Sequence, residues 1–581
     1  MNPAPQPITK QGSVDPITLE VIRHGIVSIT DQIDANITRT AFSPYVYEYK
    51  DFAVGLTNAD GELIAQCTGG MPVFVADSVG MAVRDGLSIY GADRLRQGDI
   101  VLCNHAAIQG QHLNNTVMYT PIYAGPQRAT LIGFFAINVH WIDIGGVTPR
   151  SSDIFMEGLQ LRSIKLWSEG KPIEEIYRII ENNTRFPVEL LGDIAAQHAG
   201  CVLGRDLTQA LADKYGVGKF LRAVKTILDQ SEAAARAQIR AIPDGVYAYE
   251  TFFDNDGETD EPIPICVKVI VAGDEMTVDY SGMSDQVKGC INSGYYGGGR
   301  TTARVAFKYL VATNEMANEG TFRPLKLILP AGKILSAHPT APMGNYSQAF
   351  PTVIDAIIKA LENALPERVT GAHFGTFSGV RFRGKRAESG ALFDCHDSGH
   401  GGWGACATHD GAGPFRTMAH GDTRIIPVEL QESMYPYRVA EFSLREDSAG
   451  AGKFRGGLGF RKKYQILGRC DLQAQFDRVK YPPWGVQGGK AARSGQITVL
   501  KKSGEKEIIY KSKAYPLEAG ATIIVETGGG GGYGPPAERP RNLIERDVRR
   551  GYVSAEAAAR DYGVKLNPSR VDLQLSAFGL E

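Results

Sequence analysis

Residues 104–146 read NHAAIQGQHLNNTVMYTPIYAGPQRATLIGFFAINVHWIDIGG. Within them, residues 116–123 and 130–140 have the composition of two strands, and Ala124-Gly125-Pro126 supplies the turn between them. Paired antiparallel, these strands bring His112 and His140 to the same end of a hairpin. Asn104-His105 ends an earlier strand, Ile100–Cys103, and residues 109–115 form the loop leading into the pair. Imidazoles from neighbouring strands, with a carboxylate nearby, suit a divalent-metal site with an open position. Asp143 and Asp51 are the available carboxylates, both near strand ends. The plainer alternative is that the histidines are hydrogen-bonded structural residues and that Asp143, before Gly145-Gly146, forms a turn.

Working outward, Pro16 to about Thr40 carries Leu19, Ile22, Ile26, Ile29 and Ile33 at helical spacing, with Pro16 suited to a first turn. Phe52–Leu56 and Glu62–Gln66 flank Asn58-Ala59-Asp60-Gly61, a hairpin signal. Residues 155–240 change character: 174–182, 190–203 and 207–240 read as helices. Strands return over 246–279, and helices follow near 300–313 and 352–364. Residues 425–527 are strand-rich, and a helical tail is predicted over 547–563. The fold class is α+β, a large mixed multi-sheet fold with a central helical segment. The predicted organisation is an N-terminal α+β region with the candidate metal site (1–240), a middle α+β region (241–420) and a C-terminal β-rich region with the helical tail (421–581).

The 581 residues amount to roughly three to five domain-equivalents. Charge is balanced, with 62 Lys+Arg against 64 Asp+Glu, which excludes the basic footprint of a nucleic-acid binder. No run of eighteen apolar residues predicts a membrane span, and residues 1–16 carry no apolar stretch of a secretory signal. The eight cysteines are widely spaced and form no CxxC, which reads as reduced thiols of a cytoplasmic protein. The 67 glycines cluster in short runs at 399–404, 456–459, 485–489 and 528–534, as tight turns and close backbone approaches would require. No P-loop, HExxH or GxSxG occurs. Gly528–Gly534 follows a strand, but Pro535-Pro536 comes next in place of a helix, so a structural turn is the better reading. Cys395–Asp410 is dense in potential ligands but too rich in glycine for a helix. It leaves open a loop metal site, a mobile loop beside a cleft, or an ordinary turn.

Several motifs occur in a recognisable order: Asp15-Pro16-Ile17-Thr18-Leu19-Glu20, Arg39-Thr40-Ala41-Phe42-Ser43-Pro44, Asp60-Gly61-Glu62-Leu63, Gly192-Asp193-Ile194-Ala195, and Asp279-Tyr280-Ser281-Gly282. Sharper signatures are the glycine motif at 447–459 and the ending Gly528–Gly534, Arg546-Asp547-Val548, Gly551-Tyr552-Val553-Ser554. Over nearly its whole length the chain resembles the hydantoinase B/oxoprolinase family, to which acetone and acetophenone carboxylase subunits are similar. The resemblance implies a hetero-oligomer with a larger hydantoinase A-like subunit. That partner would have an actin-like ATPase fold and would bind the ATP that phosphorylates the substrate. It also implies a divalent metal (Zn, Mn or Fe) on His112 and His140, with Asp51 contributing.

The chain departs from the family pattern at several positions: His105 and Ala106 follow Asn104, Asn115 stands where an acid is common, Trp141 replaces an imidazole, and Phe74 replaces a frequent histidine. Under this reading His112, His140 and Asp51 hold the metal. Asp143, Asp51 and Asn115 serve the chemistry, Trp141 and Phe74 wall a flat ring, and either the site uses fewer ligands or His105 substitutes for one. The function implied is ATP-dependent hydrolysis of a cyclic amide such as a hydantoin, oxoproline or lactam. The alternatives are a subunit of an ATP-dependent ketone carboxylase and a non-catalytic scaffold.

Overall fold

The computed structural model describes residues 14–147, 151–313, 316–397 and 399–566. The N-terminal segment read for a secretory signal lies almost entirely outside them, as does Ser398 of the ligand-dense loop. Helix Pro16–Thr40 starts where predicted: the Asp15 carboxylate accepts from Thr18 N–H at 2.9 Å and Pro16 occupies the first turn. Its buried stripe of Leu19, Ile22, Ile26, Ile29, Ile33 and Ile37 packs on a seven-stranded sheet.

That sheet contains β1 (Phe52–Thr57), β2 (Leu63–Gln66), β3 (Ile100–Cys103), β4 (Asn115–Ala124), β5 (Thr130–His140), β6 (Ile164–Ser168) and β7 (Lys171–Pro172) in the order β2-β1-β5-β4-β3-β6-β7. The hairpin at 58–61 closes with Gly61 at φ +74°. β4 and β5 are buried almost end to end, because helices Pro16–Thr40 and Pro187–Tyr215 cover one face and Ser78–Tyr90 the other.

The central helices divide differently from expectation. Glu174–Asn182 forms as read, but the next two helices are Pro187–Tyr215 and Val217–Ile239, with the break at Gly216 (φ +85°) rather than near 204–206. Gly204 sits mid-helix because the Phe135 ring lies against it, where a Cβ would overlap the ring.

The strands β8 (Gly245–Phe253), β9 (Ile263–Ala272), β10 (Glu275–Asp279) and β11 (Leu325–Ile328) form a second sheet, β11-β10-β9-β8, carrying helix Phe350–Ala360. One continuous core joins it to the first sheet.

Two further sheets follow, built from β12 (Gly379–Lys385), β13 (Leu392–Asp397), β14 (Tyr437–Leu444), β15 (Phe460–Ile466), β16 (Cys470–Gln475), β17 (Gln496–Leu500), β18 (Lys506–Ile509), β19 (Lys511–Leu517) and β20 (Thr522–Glu526). Their orders are β13-β12-β16-β19 and β14-β15-β20-β17-β18, and they share a core that includes Phe382, Tyr464, Leu472 and Ile523. The first of the two takes strands from both sides of residue 420. The tail is two helices, Arg541–Arg549 and Ala555–Tyr562, where one was predicted. All eight cysteines are free thiols. Among the described residues no helix is long and apolar enough to cross a membrane.

The glycine runs pack backbone against backbone. Gly531 N–H donates to Ala372 O at 2.8 Å and Gly530 N–H to Gly457 O at 3.0 Å. A Cβ on Gly530, Gly531 or Gly456 would fall inside the contact distance of a neighbouring carbonyl. The 528–534 run is therefore structural packing, as its sequence context indicated.

Candidate functional site

Three adjacent strands place the central residues. β1 pairs with β5 (Phe52↔Val139), and His140 N–H donates to Asp51 O at 3.0 Å. β4 pairs with β5 in the register Asn115↔His140. Asp51, His140 and Asn115 therefore lie side by side at one sheet end, and His112 sits in the turn entering β4. The His112 and His140 rings meet edge to face, with centroids 4.9 Å apart. Asn115 Nδ2 donates to Gln111 Oε1 at 2.9 Å and to the Tyr346 hydroxyl at 3.0 Å, which turns Asn115 Oδ1 toward His112 Nε2, 2.8 Å away.

These residues open on a cavity of about 110 Å³. Its opposite wall comes from far along the chain: Arg381 on β12, His396 on β13, Gln473 and Gln475 on β16, and Arg416 and His420 from the loop between. Arg381 is held by both carboxylate oxygens of Asp394. Arg416 donates to Gly399 O at 2.8 Å and to the Tyr49 hydroxyl at 2.9 Å.

Burial dominates the electrostatics. It pushes His112 below the ordinary imidazole range, His140 and His420 well below it, and His396 down to about 3, with nearby Arg381 or Arg416 acting in the same direction. The four imidazoles are therefore neutral at neutral pH. Burial raises the Asp51 carboxyl to about 7, against the opposing pull of Arg416. Arg381 stays protonated: burial opposes its charge, but Asp394, Tyr45 and Asp143 together outweigh that cost.

The donors suit a divalent cation. His112 Nδ1 lies 3.2 Å from Gly344 O, and a neutral ring carries only one N–H. Whichever nitrogen carries it, the other turns a lone pair toward an acceptor oxygen, Asn115 Oδ1 or the Gly344 carbonyl, an arrangement that a cation bound to the ring and to that oxygen would relieve. His140 Nδ1 is likewise buried without a hydrogen-bond partner. Asp51 lies beside them on the cavity wall. Even so, among the described residues no three His, Cys, Asp or Glu side chains converge closely enough to form a ready metal cluster.

The other predicted residues are distributed differently. Phe74 lines the cavity, but Trp141 does not: it is fully buried on the far side of the strand end, donating through Nε1 to Gln197 Oε1 at 3.1 Å. Successive residues of an extended strand point to opposite faces, so His140 facing the cavity turns Trp141 into the core. Asp143 lies outside the cavity, its carboxylate bound to the Arg185 side chain and to Arg185 N–H. His105 caps the short turn at Ala106, accepting from Ala107 N–H at 3.3 Å, and does not reach the cavity. Sequence reasoning missed Arg381, Arg416 and His420. It also missed His396, although the ligand-dense stretch 395–410 contains it; that stretch begins as strand β13, not as a loop.

A large α+β chain with an imidazole-lined cavity between two sheets, and with no nucleotide-binding motif, is thus defined. The hydantoinase B/oxoprolinase family model matches residues 15–536, and the chain belongs to this family. It is 29% identical over 582 residues to the beta chain of the caprolactamase of Pseudomonas jessenii, covering 96% of this chain and 97% of that protein. It is 28% identical over 580 residues to the B component of a putative D-/L-hydantoinase of a Pseudomonas species, covering 96% of each. The crystal structure of the ATP-dependent caprolactamase from Pseudomonas jessenii superposes with a TM-score of 0.83 at 27% identity, over 96% of this chain and 98% of that one. Acetone carboxylase shares the fold, with a TM-score of 0.87 at 17% identity, over 97% of this chain and 83% of that chain.

Proposed function

We propose that this chain is the component of an ATP-dependent cyclic amide hydrolase in which ring opening is completed, working with a separate ATPase subunit. The observation that carries the reading is the group of His112, His140, Asn115 and Asp51 facing one cavity, in a chain whose relatives are named as hydantoinase and caprolactamase components. Amide resonance resists attack by water. Phosphorylation of the amide oxygen on the partner would convert the substrate into a better electrophile.

His112 and His140, with Asn115 Oδ1 and Asp51 as the remaining donors, would hold a divalent ion, which lowers the pKa of bound water and polarises an oxygen. Burial keeps both imidazoles in the neutral form a metal requires, and donation of the His112 Nδ1–H to the Gly344 carbonyl would leave its Nε2 lone pair for the ion. Asp51, beside the imidazoles on the cavity wall, would complete the ligand set or take a proton from the attacking water. Arg381 and Arg416 place fixed positive charge where an oxyanion develops.

The test combines the purified chain with its ATPase partner and offers hydantoin, 5-oxoproline, ε-caprolactam and acetone, each with and without bicarbonate. ATP consumption coupled to ring opening, lost in His140→Ala, is the expected result. Turnover only with acetone plus bicarbonate would replace the hydrolase with a carboxylase. No turnover by an active partner would leave a scaffold.

A further inference from the structure

The orientation of the Asn115 amide is traceable to a backbone carbonyl. Gln111, the residue before His112, is fully buried. Its stem lies against Gly297, where a Cβ would come within 2.7 Å of Gln111 Cγ. Its Nε2 donates to Val73 O at 2.7 Å and to Ser78 Oγ at 2.8 Å. A backbone carbonyl only accepts, so the Gln111 amide cannot be turned over without setting two oxygens against each other. Gln111 Oε1 is thereby committed to face Asn115, and it accepts from Asn115 Nδ2 at 2.9 Å. The second hydrogen of that Nδ2 goes to the Tyr346 hydroxyl at 3.0 Å. The amide oxygen is then the only polar atom of the Asn115 side chain left for His112 Nε2, 2.8 Å away.

The two acceptors around Asn115 are not alike. The Tyr346 hydroxyl can rotate to accept or to donate, but Gln111 Oε1 can only accept. A carboxylate at position 115 would have no hydrogen to give it. Two buried oxygens would then face each other, and the Gln111 one cannot turn away. Position 115 is therefore built for a neutral amide oxygen, although an acid would bring the charge that ordinarily strengthens a divalent site. We propose that Gln111 is a positioning residue of the cation site: it aims the Asn115 oxygen at His112 and excludes a carboxylate from that place. The assignment rests on the metal reading above and adds to it which residue outside the ligand set decides the ligand at 115.

The test measures the zinc affinity of the purified full chain by chelator competition, for wild type, Asn115→Asp, Gln111→Met and the double variant. Asn115→Asp alone is expected to gain no affinity. In the Gln111→Met background, where the fixed acceptor is gone, the same change is expected to tighten zinc binding roughly tenfold, a coupling ordinary for residues in contact. A merely structural Gln111 would lower stability in its single variant but leave the effect of Asn115→Asp the same in both backgrounds. That equality would overturn the proposal and leave the metal site standing. So would a tenfold gain from Asn115→Asp alone, a result that needs no Gln111 variant to fold. If wild type binds no zinc, the assignment and the metal reading fall together.

Discussion

At the scale of the residue, neighbours in sequence have separate tasks. His140 faces the cavity while Trp141, next to it, hydrogen-bonds Gln197, whose Nε2 donates to Ile137 O and Thr116 O. Trp141→Phe leaves Gln197 Oε1 buried and unpaired, so it should lower stability by about 1–3 kcal/mol in a urea titration while leaving ring-opening turnover within a factor of two. A turnover loss out of proportion to stability would return Trp141 to the substrate wall. His112→Ala, in contrast, should abolish both turnover and bound divalent metal, measured by elemental analysis of the purified chain.

Glu157 gives the pH prediction. Burial raises its carboxyl to about 7, although it accepts from Ser151 Oγ at 2.7 Å and Met343 N–H at 2.6 Å. The folded protein holds a proton that the unfolded chain releases near 4.5. Its contribution is therefore complete below pH 4.5 and declines as pH rises to about 7, by on the order of 3 kcal/mol. Glu157→Gln should gain stability over wild type between pH 5 and pH 8, read as a shift in urea midpoint. Identical pH profiles for the two proteins would show that Glu157 is not protonated in the fold.

At the scale of the element, the legible features were those set by local pattern. The stripe of Pro16–Thr40, the turn at Gly61 and the β4–β5 hairpin could all be read because period and turn chemistry are local. The hairpin also explains why His112 and His140 could be paired in advance. Gly204 and Gly216 show where local reading stops: both are glycines in a helical region, and only the Phe135 ring on one and the left-handed φ of the other tell packing from termination. His396, His420, Arg381 and Arg416 were illegible because they join the cavity through the packing of separate sheets, and no periodicity encodes that. The glycine layer is an element-scale commitment as well. Gly531→Ala drives a methyl into the Trp484 carbonyl and should cost about 1–3 kcal/mol, visible as a lower melting temperature. A neutral result would mean that the layer has slack.

At the scale of the whole molecule, the cavity belongs to two sheets whose strands lie far apart in the chain. β12, paired with β13 on one side, hydrogen-bonds to β16 on the other across residue 420, so a fragment ending at 420 presents an unpaired strand edge. Expressed alone, residues 1–420 should be insoluble or aggregated, and co-expression with 421–581 should recover soluble material. A monomeric, folded 1–420 fragment would show that this edge is otherwise covered.

The placement of the two walls also sets a schedule. His140 leaves the ribosome about 256 residues before His396, an interval of roughly 13–50 s at ordinary elongation speeds. Throughout that interval the growing chain carries the imidazole pair without the wall that shelters it, open to water and to any passing cation. The cavity is thus closed only late in synthesis, and a message cut short between β5 and β16 yields a chain with the imidazole pair but no chamber.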